Sequence, residues 1–152
     1  MTVYKMADLP DFVQKVERRM SAVVKQSSND VIKMASRTAI GVTRGGELRR
    51  GYVPRDLGNL AASLVSELHG STSITSGDGN YGLVTGSMKA GDVATFTWTA
   101  PYAMRLHYGY RGTDSKGRTI NQEGWFWVDE AANHWPQIVD AVVARVKLKV
   151  GG

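Results

Sequence analysis

The side chains able to do chemistry are few, and their spacing argues against most of it. His69, His107 and His134 are the three histidines of the chain. None stands in a pattern such as H-E-x-x-H, which would place two metal ligands on one helix face. His134 follows Glu130 by four residues, a spacing that suits a surface pair and lacks a third ligand. Cysteine is absent, which removes disulfides, thiolate metal sites and a cysteine nucleophile together. No serine sits in a G-x-S-x-G elbow. Gly77-Asp78-Gly79 opens like a glycine-rich loop but lacks the lysine of a phosphate cradle, so a hairpin turn is the expectation. Asp78, Asp92 and Asp114 all fall in predicted turns, where aspartate serves the backbone. No pair of carboxylates is placed for acid–base work. The expectation is a protein without catalytic, metal or cofactor residues, hence not an enzyme.

Arginine and aromatic residues are the remaining candidates. Residues 1–55 hold eleven Lys and Arg against five Asp and Glu, a net of +6, whereas residues 56–152 hold eight against nine, a net of −1. Such a basic third can face a polyanion such as DNA, or be a solvated helix. Arg44, Arg49, Arg50 and Arg55 are the bases of its glycine-containing end, and Arg111 lies in a later polar stretch. Trp125, Phe126, Trp127 and Trp135 could stack on bases or pack. Helical spacing favours packing for Trp125 and Trp135, and leaves Phe126 and Trp127 to anchor a neighbouring subunit.

The elements that must carry these residues follow from periodicity. Phe12, Val13, Val16, Met20, Val23, Val24, Val31, Met34, Ala35 and Thr38 recur at helical spacing, predicting a helix from Asp11 to about Thr43. Pro10 suits its first turn, with Asp8 before it and Asp11 at the positive end of the dipole. Ser27, Ser28 and Asn29 could kink it. Gly41 to Pro54 reads as a basic loop. Asp56 to Ser63 reads as a short helix capped by Asp56. The middle predicts three or four antiparallel strands: Leu64 to Ser76, Tyr81 to Ser87, and Val93 to Thr99, which alternates cleanly. Pro101 to Tyr108 is a predicted short helix, and Gly109 to Gly124 a polar loop. From Trp125 to about Lys149 helical spacing returns along Trp125, Val128, Ala132, Trp135, Val139, Val142, Val143 and Val146, with Pro136 kinking it or starting a second helix. The predicted fold is α+β, a long N-terminal helix and a C-terminal helix packed on a small antiparallel sheet.

At 152 residues the length suits one domain. The 42% hydrophobic and 22% charged content is that of a globular chain. No signal peptide is expected in Met1 to Pro10, and no stretch approaches the ~20 apolar residues of a membrane span. A chain without cysteine fits assembly in bacterial cytoplasm.

Three segments occur in a fixed order: Pro54-Arg55-Asp56-Leu57-Gly58-Asn59-Leu60-Ala61-Ala62-Ser63-Leu64, then Pro101-Tyr102-Ala103-Met104-Arg105-Leu106-His107-Tyr108-Gly109, then Gly124-Trp125-Phe126-Trp127 leading into the last helix. This order resembles the tail-completion and head–tail joining (neck) proteins of long-tailed bacteriophages, often called minor tail components. Members typically carry D/T-G-x-L-x-x-S after a long helix, then Y-A-x-x-[LV]-[EH]-[FY]-G, then a Phe opening the last helix. Leu57 departs from a common threonine, His107 from a frequent glutamate and Tyr110 from a threonine. The resemblance implies scaffold roles for Asp56, Gly58, Leu60, Ser63, Tyr102, Ala103, His107 and Gly109, with Gly109 as a left-handed helix cap. It implies a homo-oligomeric ring, commonly sixfold, in the virion neck or tail end, docked to neighbouring neck and tail proteins, with genomic DNA passing its lumen. The long helix with the Gly41–Pro54 loop is the expected subunit contact on one side, and the Gly109–Gly124 loop on the other.

Overall fold

The computed structural model describes residues 9–56 and 58–150; Asp8 and Leu57 lie outside the described residues. The chain is mixed helix and sheet, with a long N-terminal helix, C-terminal helices and small sheets.

Helix α1 runs Leu9–Ala35 without a break, Pro10 in its first turn and Asp11 at its positive end. The expected kink at residues 27–29 does not occur, and α1 runs through them unbroken. Ser27 is buried, and Asn29 Oδ1 accepts the Thr85 hydroxyl at 2.9 Å. The helix also stops earlier than its apolar stripe predicts. Ser36 N–H still reaches the Ile32 carbonyl, but Arg37 N–H and its Nε both turn to the Met34 carbonyl. The chain then becomes strand β1, Thr38–Ile40, where β-branched side chains are at home. β1 pairs in parallel with β2, Val53–Arg55. The expected Gly41–Pro54 loop is therefore a crossover, opened by a 3-10 turn at Val42–Arg44 and closed by a strand.

Helix α2, Asn59–Ala62, starts from Gly58 at φ 84°, and no side chain caps it. Asp56 does not fill the capping role; its carboxylate lies against Gly41, where a Cβ would collide with it. Strands β3 (Leu64–His69), β4 (Ile74–Ser76) and β5 (Val93–Trp98) form an antiparallel sheet in the order β4-β3-β5. Its inward face alternates Leu64, Ser66 and Leu68 on β3 with Ala94, Phe96 and Trp98 on β5. Tyr81 to Ser87 is not a strand: Gly82–Ser87 is helix α3, held inward by Val84 and Thr85. The segment is too short for its period to decide between helix and strand, and contact with α1 decides it.

Helix α4, Ala103–Tyr108, leads directly into β6, Gly109–Thr113, which pairs antiparallel with β7, Thr119–Glu123. The expected Gly109–Gly124 loop is thus a β-hairpin. Gly109 has φ 85° but ψ 175°, an extended strand entry rather than a left-handed cap. At the end of the chain α5 (Trp127–Asn133) and α6 (Trp135–Val150) are separated at His134, Pro136 falling in the first turn of α6 as its missing N–H allows. The inward stripe is Trp127, Ala131, Ile138, Val142 and Val146; Val142 and Val146 lie on the predicted stripe, whereas Val128, Ala132 and Trp135 of that stripe are exposed. Trp125 is buried ahead of the helix, and Trp135 is 42% exposed.

Helices α1 and α6 pack through Ile138, Val142 and Val146 against Ala22, Val23, Val31 and Met34. A second cluster joins α1, β3 and α5 through Ile32, Ala35, Leu64 and Ala131. A third gathers Leu68, Val84 and Met88. The fourth, of Ala39, Val53, Leu60, Ala103, Trp125 and Trp127, lies beneath the site described next.

Candidate functional site

The three resemblance segments meet in space. Leu60 from the first, Ala103 from the second, and Trp125 and Trp127 from the third share one buried cluster. Trp127, expected to reach a neighbouring subunit, is 1% exposed and is a core residue. It meets Trp98 edge-on at 5.9 Å between ring centroids.

Backbone bonds tie the second segment to the third. Trp125 N–H donates to the Leu106 carbonyl and Phe126 N–H to the His107 carbonyl, both at 3.0 Å. Gly124 is required here, because a Cβ would collide with the His107 carbonyl and the Tyr108 backbone. Phe126 sits before α5 at φ 47° and ψ 43°, a left-handed conformation that costs a bulky residue about 1–3 kcal/mol. Its surroundings hold it there: the two backbone bonds to His107 and Glu130, and the Arg50 guanidinium 4.4 Å from its ring centroid.

His107 sits inside this joint, 5% exposed. Its Nε2 accepts Val128 N–H at 3.1 Å, which places the ring proton on Nδ1; Nδ1 has no hydrogen-bond partner. Burial lowers its pKa from the ordinary histidine value, opposed by the Asp129 carboxylate, whose Oδ1 is 3.9 Å from Nε2. A neutral imidazole is what this position needs, since a protonated Nε2 could not accept from Val128. The ring also packs on Tyr108, Phe126 and Trp127. It is a structural histidine.

Outside the joint lies an open groove of about 560 Å3 bordered by Leu48, Arg50, Tyr108, Tyr110, Arg111 and Phe126. It brings together three of the expected contact residues, Arg50, Arg111 and Phe126. Arg50 is engaged by Glu130, Nε to Oε1 at 2.6 Å. Arg49 is nearby, its guanidinium 4.1 Å from the Tyr52 ring centroid, with Arg37 over the same ring at 4.3 Å. Arg105 lies over Tyr110 at 4.1 Å. Arg44 and Arg55 are exposed on the crossover and on β2 and do not border the groove. Sequence reasoning missed Arg37, Tyr52, Arg105 and Tyr110. The signal was the interleaving of arginine with tyrosine at residues 49–52 and 105–111.

The remaining motif residues serve the framework. Ser63 Oγ donates to the Leu60 carbonyl at 2.7 Å. Tyr102 is 43% exposed and with Asp56, Gly58 and Arg105 borders a smaller cleft of about 290 Å3 between the first and second segments. Two aspartates pin turns. Asp92 accepts Ser71 N–H, Ser71 Oγ and Lys89 N–H, and Asp114 accepts Arg118 and Lys116 N–H and the Arg118 guanidinium. Those backbone donors first of all lower both pKa values.

Among the described residues no three His, Cys, Asp or Glu side chains gather as a metal site would require, and no helix is long and apolar enough to cross a membrane. Compared with known proteins, the chain matches no family model, no curated protein and no solved structure.

Proposed function

We propose that this chain is a structural subunit of a tailed-bacteriophage virion, part of a homo-oligomeric ring at the neck or the head-proximal end of the tail. It is assembled in the bacterial cytoplasm, carries no catalytic step, and docks to neighbouring neck and tail proteins. The observation that carries this reading is the convergence of the three resemblance segments. Residues far apart in sequence pack as one unit, through Leu60, Ala103, Trp125 and Trp127. A chance likeness of short motifs would not require such packing.

Two further features support it. Several motif residues hold backbone and core in place, Leu60, Ala103 and Trp125 in one cluster and His107 under Val128, as expected of a scaffold. The groove beside them combines arginine, tyrosine and phenylalanine, the side chains that dominate binding energy at protein interfaces. Its Arg50 is already paired with Glu130, and the neighbouring Arg49 and Arg105 lie on tyrosine rings. That arrangement favours a protein surface over a DNA backbone as the groove's partner. Contact with the genome falls instead to Arg44 and Arg55, which are exposed and carry no ion pair among the described residues.

Light scattering of the purified protein tests the reading, at low and high salt, with and without duplex DNA. A ring-sized species, or a monomer indifferent to DNA, is the expected result. A monomer that binds duplex DNA tightly, with affinity falling steeply as salt rises, would replace the ring subunit with a nucleic-acid-binding module built on the basic helix.

A further inference from the structure

Among the described residues, two of the unpaired sheet edges stand out. The first is β5, Val93–Trp98, at the border of the sheet ordered β4-β3-β5. Among the described residues no strand pairs with its outer side. Natural proteins protect such an edge with lysine, proline, a bulge or a cover. The sequence V-A-T-F-T-W has none of the first two, and its register with β3 is continuous from Leu64↔Trp98 to His69↔Val93. Six uncharged residues, all but Ala94 strand-favouring, with an open edge form a ready template for another strand.

The second is the hairpin β6–β7. It pairs with no third strand, and a two-stranded hairpin is marginal in water by itself. Helix α4 contacts both strands, with Arg105 over the Tyr110 ring of β6. β7, Thr119–Glu123, is the more open strand, with Thr119, Asn121 and Glu123 exposed. Asp114 fixes the tip through three hydrogen bonds, so the hairpin is a formed arm and not a loose loop.

We infer that β7 of one copy pairs with the β5 edge of the next, joining the hairpin to the three-stranded sheet across each subunit boundary of the ring. The inference rests on the ring reading above and names its joint. The two surfaces differ, so the contact is heterologous and repeats around a closed ring. Lengths agree, five residues of β7 against six of β5. No like charges oppose across the joint, because β5 is uncharged and β7 carries only Glu123. A pairing of β5 with β5 would instead give a two-fold dimer and leave the hairpin unused.

The absence of cysteine makes the test direct. Thr95→Cys and Asn121→Cys are made singly and together, and treated with a short bismaleimide while light scattering reads the mass of the same sample. The double variant is expected to give a ladder of covalent oligomers, and each single variant none. Thr97→Lys, which charges the open edge, is expected to raise the concentration needed for assembly by about tenfold or more, with the thermal midpoint unchanged. An oligomer in which the double variant does not cross-link overturns the joint and leaves the ring standing. Covalent dimers from Thr95→Cys alone overturn the heterologous pairing. A monomer at every concentration overturns the joint, while the ring that closes on a partner protein is judged separately by its indifference to DNA.

Discussion

His107 and Trp127 show how much of this protein's behaviour rests on single buried side chains. His107 is held neutral by burial and by accepting Val128 N–H. Its folded pKa lies below the ordinary 6.5, so the unfolded chain takes up a proton first as pH falls. Stability is therefore full above about pH 6.5 and is lost as pH falls from there toward the folded value. Thermal melts between pH 8 and 5 should show this decline. His107→Gln should flatten that part of the profile, with the Asp129 and Glu130 carboxylates unchanged. Trp127 fills the centre of the joint, and Trp127→Ala is expected to cost about 3–5 kcal/mol by the usual large-to-small scale, measurable by urea unfolding. Phe126 is different: its ring is only partly buried, and its left-handed backbone is the more telling feature. Its left-handed φ was invisible in the sequence, since a bulky residue there is held by its neighbours rather than by its own preference.

At the level of elements, glycines separate two kinds of position. Gly124 has the His107 carbonyl and Tyr108 backbone where its Cβ would go, and Gly124→Ala should cost about 2–4 kcal/mol, because rigid backbone must move. Gly86 in α3 has open space around it, and Gly86→Ala should stabilise by about 0.5–1 kcal/mol through helix propensity. Paired urea titrations of the two variants check both signs. The elements legible in the sequence were those with a strong period or a punctuating residue. The Val93–Thr99 alternation gave β5, Pro10 and Asp11 marked the start of α1, and Pro136 marked the start of α6. What stayed hidden was decided by contact at a distance. The apolar stripe of α1 runs on past Ala35, but Thr38–Ile40 finds a parallel partner 15 residues on, at Val53–Arg55. Helix α3 depends on Asn29 and the core around Val84. The hairpin β6–β7 lacks an apolar face to announce it, since its strands pack on little. Of the candidate site, Arg50, Arg111 and Phe126 were found, and Arg37, Tyr52, Arg105 and Tyr110 were not, because guanidinium–ring pairs form across the fold. Trp127 was assigned outward because the helical frame was started at Trp125, two residues too early.

For the whole molecule, the hairpin and the arginine–tyrosine groove are one surface, since Tyr110, Arg111, Gln122 and Glu123 line the groove, and β5 contributes nothing to that lining. α1 adds a third feature: at 27 residues it is about 40 Å long, and Phe12, Val13 and Met20 near its beginning are 44–53% exposed. Beneath these surfaces one cluster joins Ala39, Val53 and Leu60 to Ala103, Trp125 and Trp127. That has a consequence in time rather than in space. As the chain leaves the ribosome, Ala39, Val53, Leu60 and Ala103 are made early, but the cluster is not complete until Trp125 and Trp127 follow. Contacts of such sequence span close slowly and late. A nascent chain halted before Trp125 should therefore be cut readily by protease, and one halted after the C-terminal helix should resist it. A chain built this way completes the core beneath its groove only once its synthesis is nearly finished, so on the ring proposal an unfinished chain is barred from assembly.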